Sequence, residues 1–408
     1  VKFLDYIIEK LPRIGLSLNL RKSVILRTNN EDGLFDRFGI NMASNGITVL
    51  GCPVGTDEYV DEKLVSMFKQ YEKSINILGK TSSVNAFPFL RSCINSKPSY
   101  ITRTCPPWHL ARHATKFDKQ IDRAIARMID KHDLNSIARE VRALPEKMSG
   151  LGISRLTEIS PLAWNASFSH ALKFSQHEGQ EHAWSRALEA GDELLPRHKE
   201  HLDKSIPSFS FGDTSFSPLK QSDLTKDINE KKHDILLSTL LETPAKRSWF
   251  KAAHDLSAPW MYSAIGPYSK YTSTLTNRAM QTNLKARLLI SIVDVPSSFV
   301  CSCNETSSTN QAFTDYHALN CKEHVHHLSI QRHNDVRDLL YTAIESSLPQ
   351  AIVQREQVHY NDANPSLHKK PDVTFSIRPD PKEISIDVAF INPGAASYIN
   401  KDINKLYQ

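Results

Sequence analysis

Apolar residues recur at helical spacing along most of the chain from Thr56 to Asp130, and no other feature restricts the fold as much. Val60, Leu64, Met67, Phe68, Tyr71, Ile75 and Leu78 fall on one stripe. A period near 3.6 residues predicts an amphipathic helix that has to bury this stripe against a neighbour. Phe87, Leu90 and Ile94 predict a shorter helix. Leu110, Phe117, Ile121, Ile125 and Met128 predict a third, opened by Pro106 and Pro107, since proline suits a first helical turn. Upstream, Leu4, Ile7, Ile8 and Leu11 mark a helix ended near Gly15, with a short strand at Val24, Ile25 and Leu26. Ile47 to Leu50 reads as a strand running into a Gly/Pro turn that reaches Gly55.

The third helix presents Arg112, Lys116, Lys119, Arg123 and Arg127 on its outer side, with Asp118, Asp122 and Asp130 interspersed. Two readings fit: a solvated face of mixed charge, or a helix that lies along a nucleic-acid backbone. The net charge of +5 is compatible with a nucleic-acid partner but does not require one. With 40% hydrophobic and 23% charged residues among 408, most of the chain is expected to fold, as two or three domains. No apolar run approaches the roughly 20 residues of a bilayer span, so no membrane partner is expected. No signal peptide opens the chain, and Val1 falls inside a helical pattern, as in a fragment of a longer protein.

Residues 144–156 form a turn punctuated by Gly150 and Gly152, and a helical segment with Trp164 and Phe168 follows. Residues 175–235 are polar, and Ser205 to Ser217 is the best linker candidate. Helical character returns at Leu236 and again around Leu284 to Leu288.

Taken in order, these pieces resemble the post-catalytic half of a non-LTR retrotransposon reverse transcriptase. Gly15-Leu16-Ser17-Leu18-Asn19 with Lys22-Ser23 looks like palm motif D, and Leu50 to Gly55 like the turn beyond it. Leu90-Arg91-Ser92-Cys93, Tyr100 to Pro107, and the turn from Leu144 to Ile153 resemble the thumb, with Ser149-Gly150 where the family usually has Gly-Gly. The likeness covers about residues 1–170 and resumes from about Trp260. A polymerase of this family needs two adjacent palm aspartates to hold its metals. No Asp-Asp pair occurs in the sequence. The resemblance places that pair upstream of Val1, so this chain alone is expected not to polymerise.

Cys52, Cys93 and Cys105 are scattered and read as free thiols. Cys301, Cys303, His317 and Cys321 crowd one short segment. Three thiolates and an imidazole suit a structural Zn²⁺, and the intervening Ser, Thr and Asn are too polar to fold without one. Unliganded loop thiols are the other reading. The resemblance implies a zinc knuckle here, since these retrotransposons carry Cys-Cys-His-Cys ligands between polymerase and nuclease.

Beyond it, Arg332 and His333 open a helix with Val336, Leu339, Leu340 and Ile344 on its apolar face. Val373, Phe375 and Ile377 alternate as in a half-buried strand, and Ile384, Ile386, Val388 and Phe390 as in a second. If the two pair as a hairpin, Asp372 and Asp387 can share a polar face, and oxygen ligands there suit a hard divalent ion such as Mg²⁺. A following helix would carry Lys401 and Lys405 one turn apart. Solvated strand acids and surface lysines are the alternative. This Pro-Asp, Asp, Lys order resembles the PD-(D/E)XK nucleases in the restriction-like form found in retrotransposons. There the lysine lies on the helix, and Lys405 fits slightly better than Lys401. Arg332 and His333 are candidate nucleic-acid contacts, as are Arg112, Lys116, Lys119, Arg123 and Arg127.

The expected fold is therefore α+β and multidomain: the end of a palm (1–55), a helical thumb (56–170), a helical linker region (171–295), a zinc knuckle (296–325) and a restriction-like endonuclease domain (326–408). The resemblance implies Mg²⁺-dependent nicking of target DNA to prime reverse transcription. It further implies element RNA and the upstream palm and fingers as partners, and a nuclear location. A catalytically inactive nucleic-acid-binding remnant is the competing reading.

Overall fold

In a computed structural model, the structure describes residues 2–26, 35–177, 220–240, 244–253, 276–292, 322–356, 371–377 and 383–388. The fold is mixed helix and sheet, with helix dominant and sheets small. The chain divides into two compact units, Val1–Pro145 with Leu151–Asp234, and Glu146–Gly150 with Ile235–Gln408.

The first unit opens with α1 (Lys2–Lys10) and a 3-10 turn that ends at Gly15, whose φ of 76° is the left-handed geometry glycine tolerates best. Strands β1 (Val24–Leu26) and β2 (Asn41–Ala43) pair in parallel. The next stretch departs from expectation. Instead of one strand and a turn, β3 (Gly46–Val49) and β4 (Cys52–Gly55) form a hairpin. Its tight turn is Leu50-Gly51, both with positive φ, and Pro53 lies inside the second strand. Two left-handed residues match the natural twist of a two-residue hairpin loop. A two-stranded hairpin also leaves edges on which proline is tolerated.

The helical stripes form as expected. Helix α2 (Asp57–Leu78) is capped by Thr56, whose hydroxyl accepts from the Tyr59 N–H, and it buries Val60, Leu64, Phe68 and Ile75. Helix α3 (Ser83–Phe89) contains Pro88 and passes into a wider π turn over Leu90–Ile94. Proline's missing N–H and its ring disturb the regular ladder there. After the short α4 (Ile101–Thr104), α5 (Pro107–Met128) packs between α2 and α7 (Leu156–His177). Phe117 meets Phe68 edge-on at 6.1 Å between ring centroids, and His113 stacks on Phe68 at 5.2 Å.

Two acids placed by sequence on the solvated face of α5 are buried instead. Asp122 accepts from Arg142 Nε at 2.6 Å, where Arg142 lies on α6 (Ser136–Ala143) and is wholly inaccessible to water. Asp118 accepts from the backbone N–H groups of Leu156 and Thr157 at 2.8 and 3.0 Å and from the Thr157 hydroxyl at 2.7 Å. It thereby satisfies donors that the first turn of α7 leaves without helical partners. The polar stretch before Leu236 also differs from expectation. Helix α8 spans Gln221–Thr239, and Lys232, in the part of it that belongs to the first unit, bonds both Glu158 oxygens at 2.5 Å.

In the second unit, α9 (Pro244–Ala252) and α10 (Asn277–Arg287) bury Phe250, Met280 and Leu284. The Glu146–Gly150 segment is fastened there: Arg287 donates to the carbonyls of Glu146 and Gly150, and the Ser149 hydroxyl donates to the Phe250 carbonyl at 2.6 Å. Helix α11 (Lys322–Ser347) begins earlier than expected and leaves Leu339, assigned to its apolar face, 62% exposed. It packs on an antiparallel sheet of β5 (Ala351–Arg355), β6 (Val373–Ile377) and β7 (Glu383–Ile386), with β6 in the centre. Among the described residues, no helix is long and apolar enough to cross a membrane.

Candidate functional site

The hairpin of β6 and β7 has the register that brings the two candidate acids to one end. Val373 pairs with Ile386, and Phe375 with Ile384. Residues opposite one another in an antiparallel pair lie on the same face, so the alternating apolar residues face one way, as expected. Asp372 and Asp387 each stand one residue beyond the Val373–Ile386 pair. Strand β5, which sequence analysis did not find, pairs with the other edge of β6, Arg355 opposite Val373. The ladder runs one step further, with the Glu356 N–H donating to the Asp372 carbonyl at 3.1 Å. Glu356 has a φ of 48°, a strained value for a residue with a side chain.

The Asp372 carboxylate is held at both oxygens. His333 Nε2 lies 2.8 Å from Oδ1, and the Val388 N–H donates to Oδ2 at 2.6 Å. Its side chain is 13% exposed, whereas Asp387 is exposed. Because the second donor is the residue after Asp387, one hydrogen bond ties the Asp372 side chain to the backbone beside Asp387.

Helix α11 is braced to this end of the sheet. Arg337, one turn after His333, pairs with Glu356 and with Asp338, the latter at 3.1 Å. Arg355 reaches back from β5 to Asp338 at 3.1 Å and lies over the Tyr341 ring, 4.1 Å from its centroid. The hydrogen bond from Arg337 holds the Asp338 carboxyl below its ordinary range, and the same bond raises the Arg337 guanidinium further.

Lys401 and Lys405 lie outside the described residues, as do the proposed zinc ligands Cys301, Cys303, His317 and Cys321. Among the described residues, no three His, Cys, Asp or Glu side chains gather as a metal cluster. Magnesium needs less: it is commonly held by one or two carboxylates, with water and substrate phosphate completing its shell. Two carboxylates at adjacent strand ends fit that donor set. Asp372 fits it as well, because a carboxylate offers about four lone-pair positions and, among the described residues, two donors occupy them.

Of the α5 cations, Arg112 bonds both oxygens of Asp61 at 2.7 Å and Lys116 bonds Glu72 at 2.9 Å, both across to α2. Lys119, Arg123 and Arg127 are exposed on the same helix. Arg332 is exposed, but His333 is turned to Asp372. Glu356 and Arg337 were missed by sequence reasoning. The spacing of His333 and Arg337, four apart on a helix, was the available signal, since it places both on one face. Glu356 carried none.

The sequence matches no family model and none of the curated proteins.

Proposed function

We propose that the second unit is a metal-dependent DNA endonuclease that nicks one strand and leaves a 3′-hydroxyl to prime reverse transcription. The observation that carries this reading is the β6–β7 register, which sets Asp372 and Asp387 side by side at one end of the sheet. When bound, Mg²⁺ would activate water and offset charge on the phosphate being cleaved. Asp372 and Asp387 would hold it, Asp372 through the lone pairs its hydrogen bonds leave open. Lys405, or Lys401, would orient the attacking water and offset phosphate charge. Arg332 would contact the DNA backbone, whose phosphates attract such cations.

In this reading the chain is part of a retrotransposon reverse transcriptase that acts in the nucleus on target DNA and element RNA. Residues 1–55 complete a palm supplied from upstream, and Cys301, Cys303, His317 and Cys321 hold zinc. The exposed cations of α5 lie along nucleic acid, with Lys119, Arg123 and Arg127 contributing most, because Arg112 and Lys116 are already paired to acids of α2.

The test is nicking of supercoiled plasmid in Mg²⁺ by the chain, and by a version extended past Gln408, each against Asp372→Ala and Asp387→Ala. Both substitutions are expected to abolish nicking. Nicking by both variants as fast as the parent overturns the assignment.

A further inference from the structure

We infer that His333 is a positioning residue for the metal site, setting the Asp372 carboxylate in the orientation that receives the divalent cation; this rests on the nuclease reading above. An aspartate at a strand end turns freely about its side-chain bonds unless neighbours hold it, and Asp372 is held from two directions. A carboxylate oxygen accepts, so the ring nitrogen facing it, Nε2, carries the hydrogen and donates to Oδ1 at 2.8 Å. The Val388 N–H donates to Oδ2 at 2.6 Å. The two bonds come from different parts of the unit, α11 and the strand end beside Asp387, and together they fix the plane of the carboxylate.

The brace behind His333 makes this more than a chance contact. Arg337, on the same face of α11, pairs with Glu356, and the Glu356 N–H bonds the Asp372 carbonyl. One helix face therefore grips Asp372 twice, through its side chain and, by way of Glu356, through its backbone. Glu356 keeps a left-handed φ of 48° in doing so. A residue held in such a conformation needs its surroundings to maintain it. Asp387 is exposed, and among the described residues no such clamp holds its carboxylate, so orientation of the acid pair rests on the Asp372 side. Groups that hydrogen-bond to a metal ligand set its direction, and removing them typically weakens metal binding about 10–100-fold.

The experiment measures binding of Mn²⁺, as a spectroscopic stand-in for Mg²⁺, by electron paramagnetic resonance on the full chain, alongside the plasmid nicking assay. His333→Ala is expected to weaken Mn²⁺ binding about 10–100-fold and to raise the Mg²⁺ needed for half-maximal nicking by a similar factor. His333→Gln, whose amide N–H reaches about as far as Nε2, is expected to restore most of both. Asp372→Ala is expected to abolish site binding. Equal Mn²⁺ binding by parent and His333→Ala overturns the inference even if the parent nicks DNA. So does a Gln variant as weak as Ala, which would make His333 a ligand or a mere packing group. If Mn²⁺ binding follows the expected series but no variant or parent nicks DNA, the positioning role stands and the endonuclease reading fails.

Discussion

Arg142 donates from Nε to Asp122 at 2.6 Å while its own side chain is wholly shut off from water, and it also donates to the Ile153 carbonyl at 2.9 Å. Removing one member of a buried ion pair strands the other charge, which typically destabilises by about 3–5 kcal/mol. Arg142→Leu is expected to lower the unfolding free energy of the full chain, read from urea denaturation followed by circular dichroism, by an amount in that range. Asp122→Leu made together with Arg142→Leu is expected to recover much of the loss, because apolar packing then replaces the pair. A single substitution with no effect on the midpoint refutes the role given to Arg142.

Acid should loosen the contact between α2 and α5. A hydrogen bond from His113 holds the Asp61 carboxyl below its ordinary value of 3.8, and one from Lys116 holds Glu72 below 4.5. A depressed carboxyl stabilises the fold above its unfolded pKa, and that stability is lost as pH falls through the folded value. Both contributions are thus complete at pH 7 and fade below about pH 4.5. The groups are partly exposed, so solvent screening limits each to about 0.5 kcal/mol. Asp61→Asn with Glu72→Gln should lower stability at pH 7 and make little difference at pH 2.5. Equal loss at both pH values would contradict this.

The thiols of the first unit should separate by reactivity. Burial pushes the Cys105 thiol up to about 12, and burial also raises Cys52, whose thiol donates to the Thr104 carbonyl at 3.1 Å. Cys93 is exposed. Since the thiolate is the reactive form, alkylation of the native chain at pH 8 should mark Cys93, and Cys52 and Cys105 only after denaturation. Mass mapping of the alkylated peptides checks this, and equal labelling of Cys93 and Cys105 in the native chain would rule it out.

Metal analysis tests the knuckle. The purified chain should carry about one equivalent of zinc, as a closed four-ligand site would. Changing Cys301, Cys303 or Cys321 to Ser, or His317 to Ala, should reduce it. A well-folded sample with no zinc sinks the assignment.

Much of the helical architecture was readable in advance because its signal is repeated. Leu64, Phe68 and Ile75 mark the same face of α2 turn after turn, and all are buried. Val373 and Phe375 likewise announce β6 by alternation. What escaped notice depends on partners distant in sequence. Nothing around Asp122 tells that Arg142, 20 positions on, buries it. His333 and Asp372 are 39 positions apart, so their contact exists only once the sheet has formed under α11. Strand β5 is short and ends in Gln354-Arg355, and α8 has a weakly apolar face, so each lacked the contrast that periodicity needs.

The cap that Asp118 supplies to α7 bears on the order in which the first unit assembles. Its acceptor oxygens come from a residue 38 positions upstream of Leu156, not from the segment that precedes the helix. A free peptide of residues 156–177 would lack that acceptor and fray at its first turn. Closing so long a loop carries an entropic penalty that has to be met before the contact forms. The start of α7 is therefore settled late, after α5 has been laid down, and chain emerging from a ribosome would hold this helix in register only when α5 is already there to receive it.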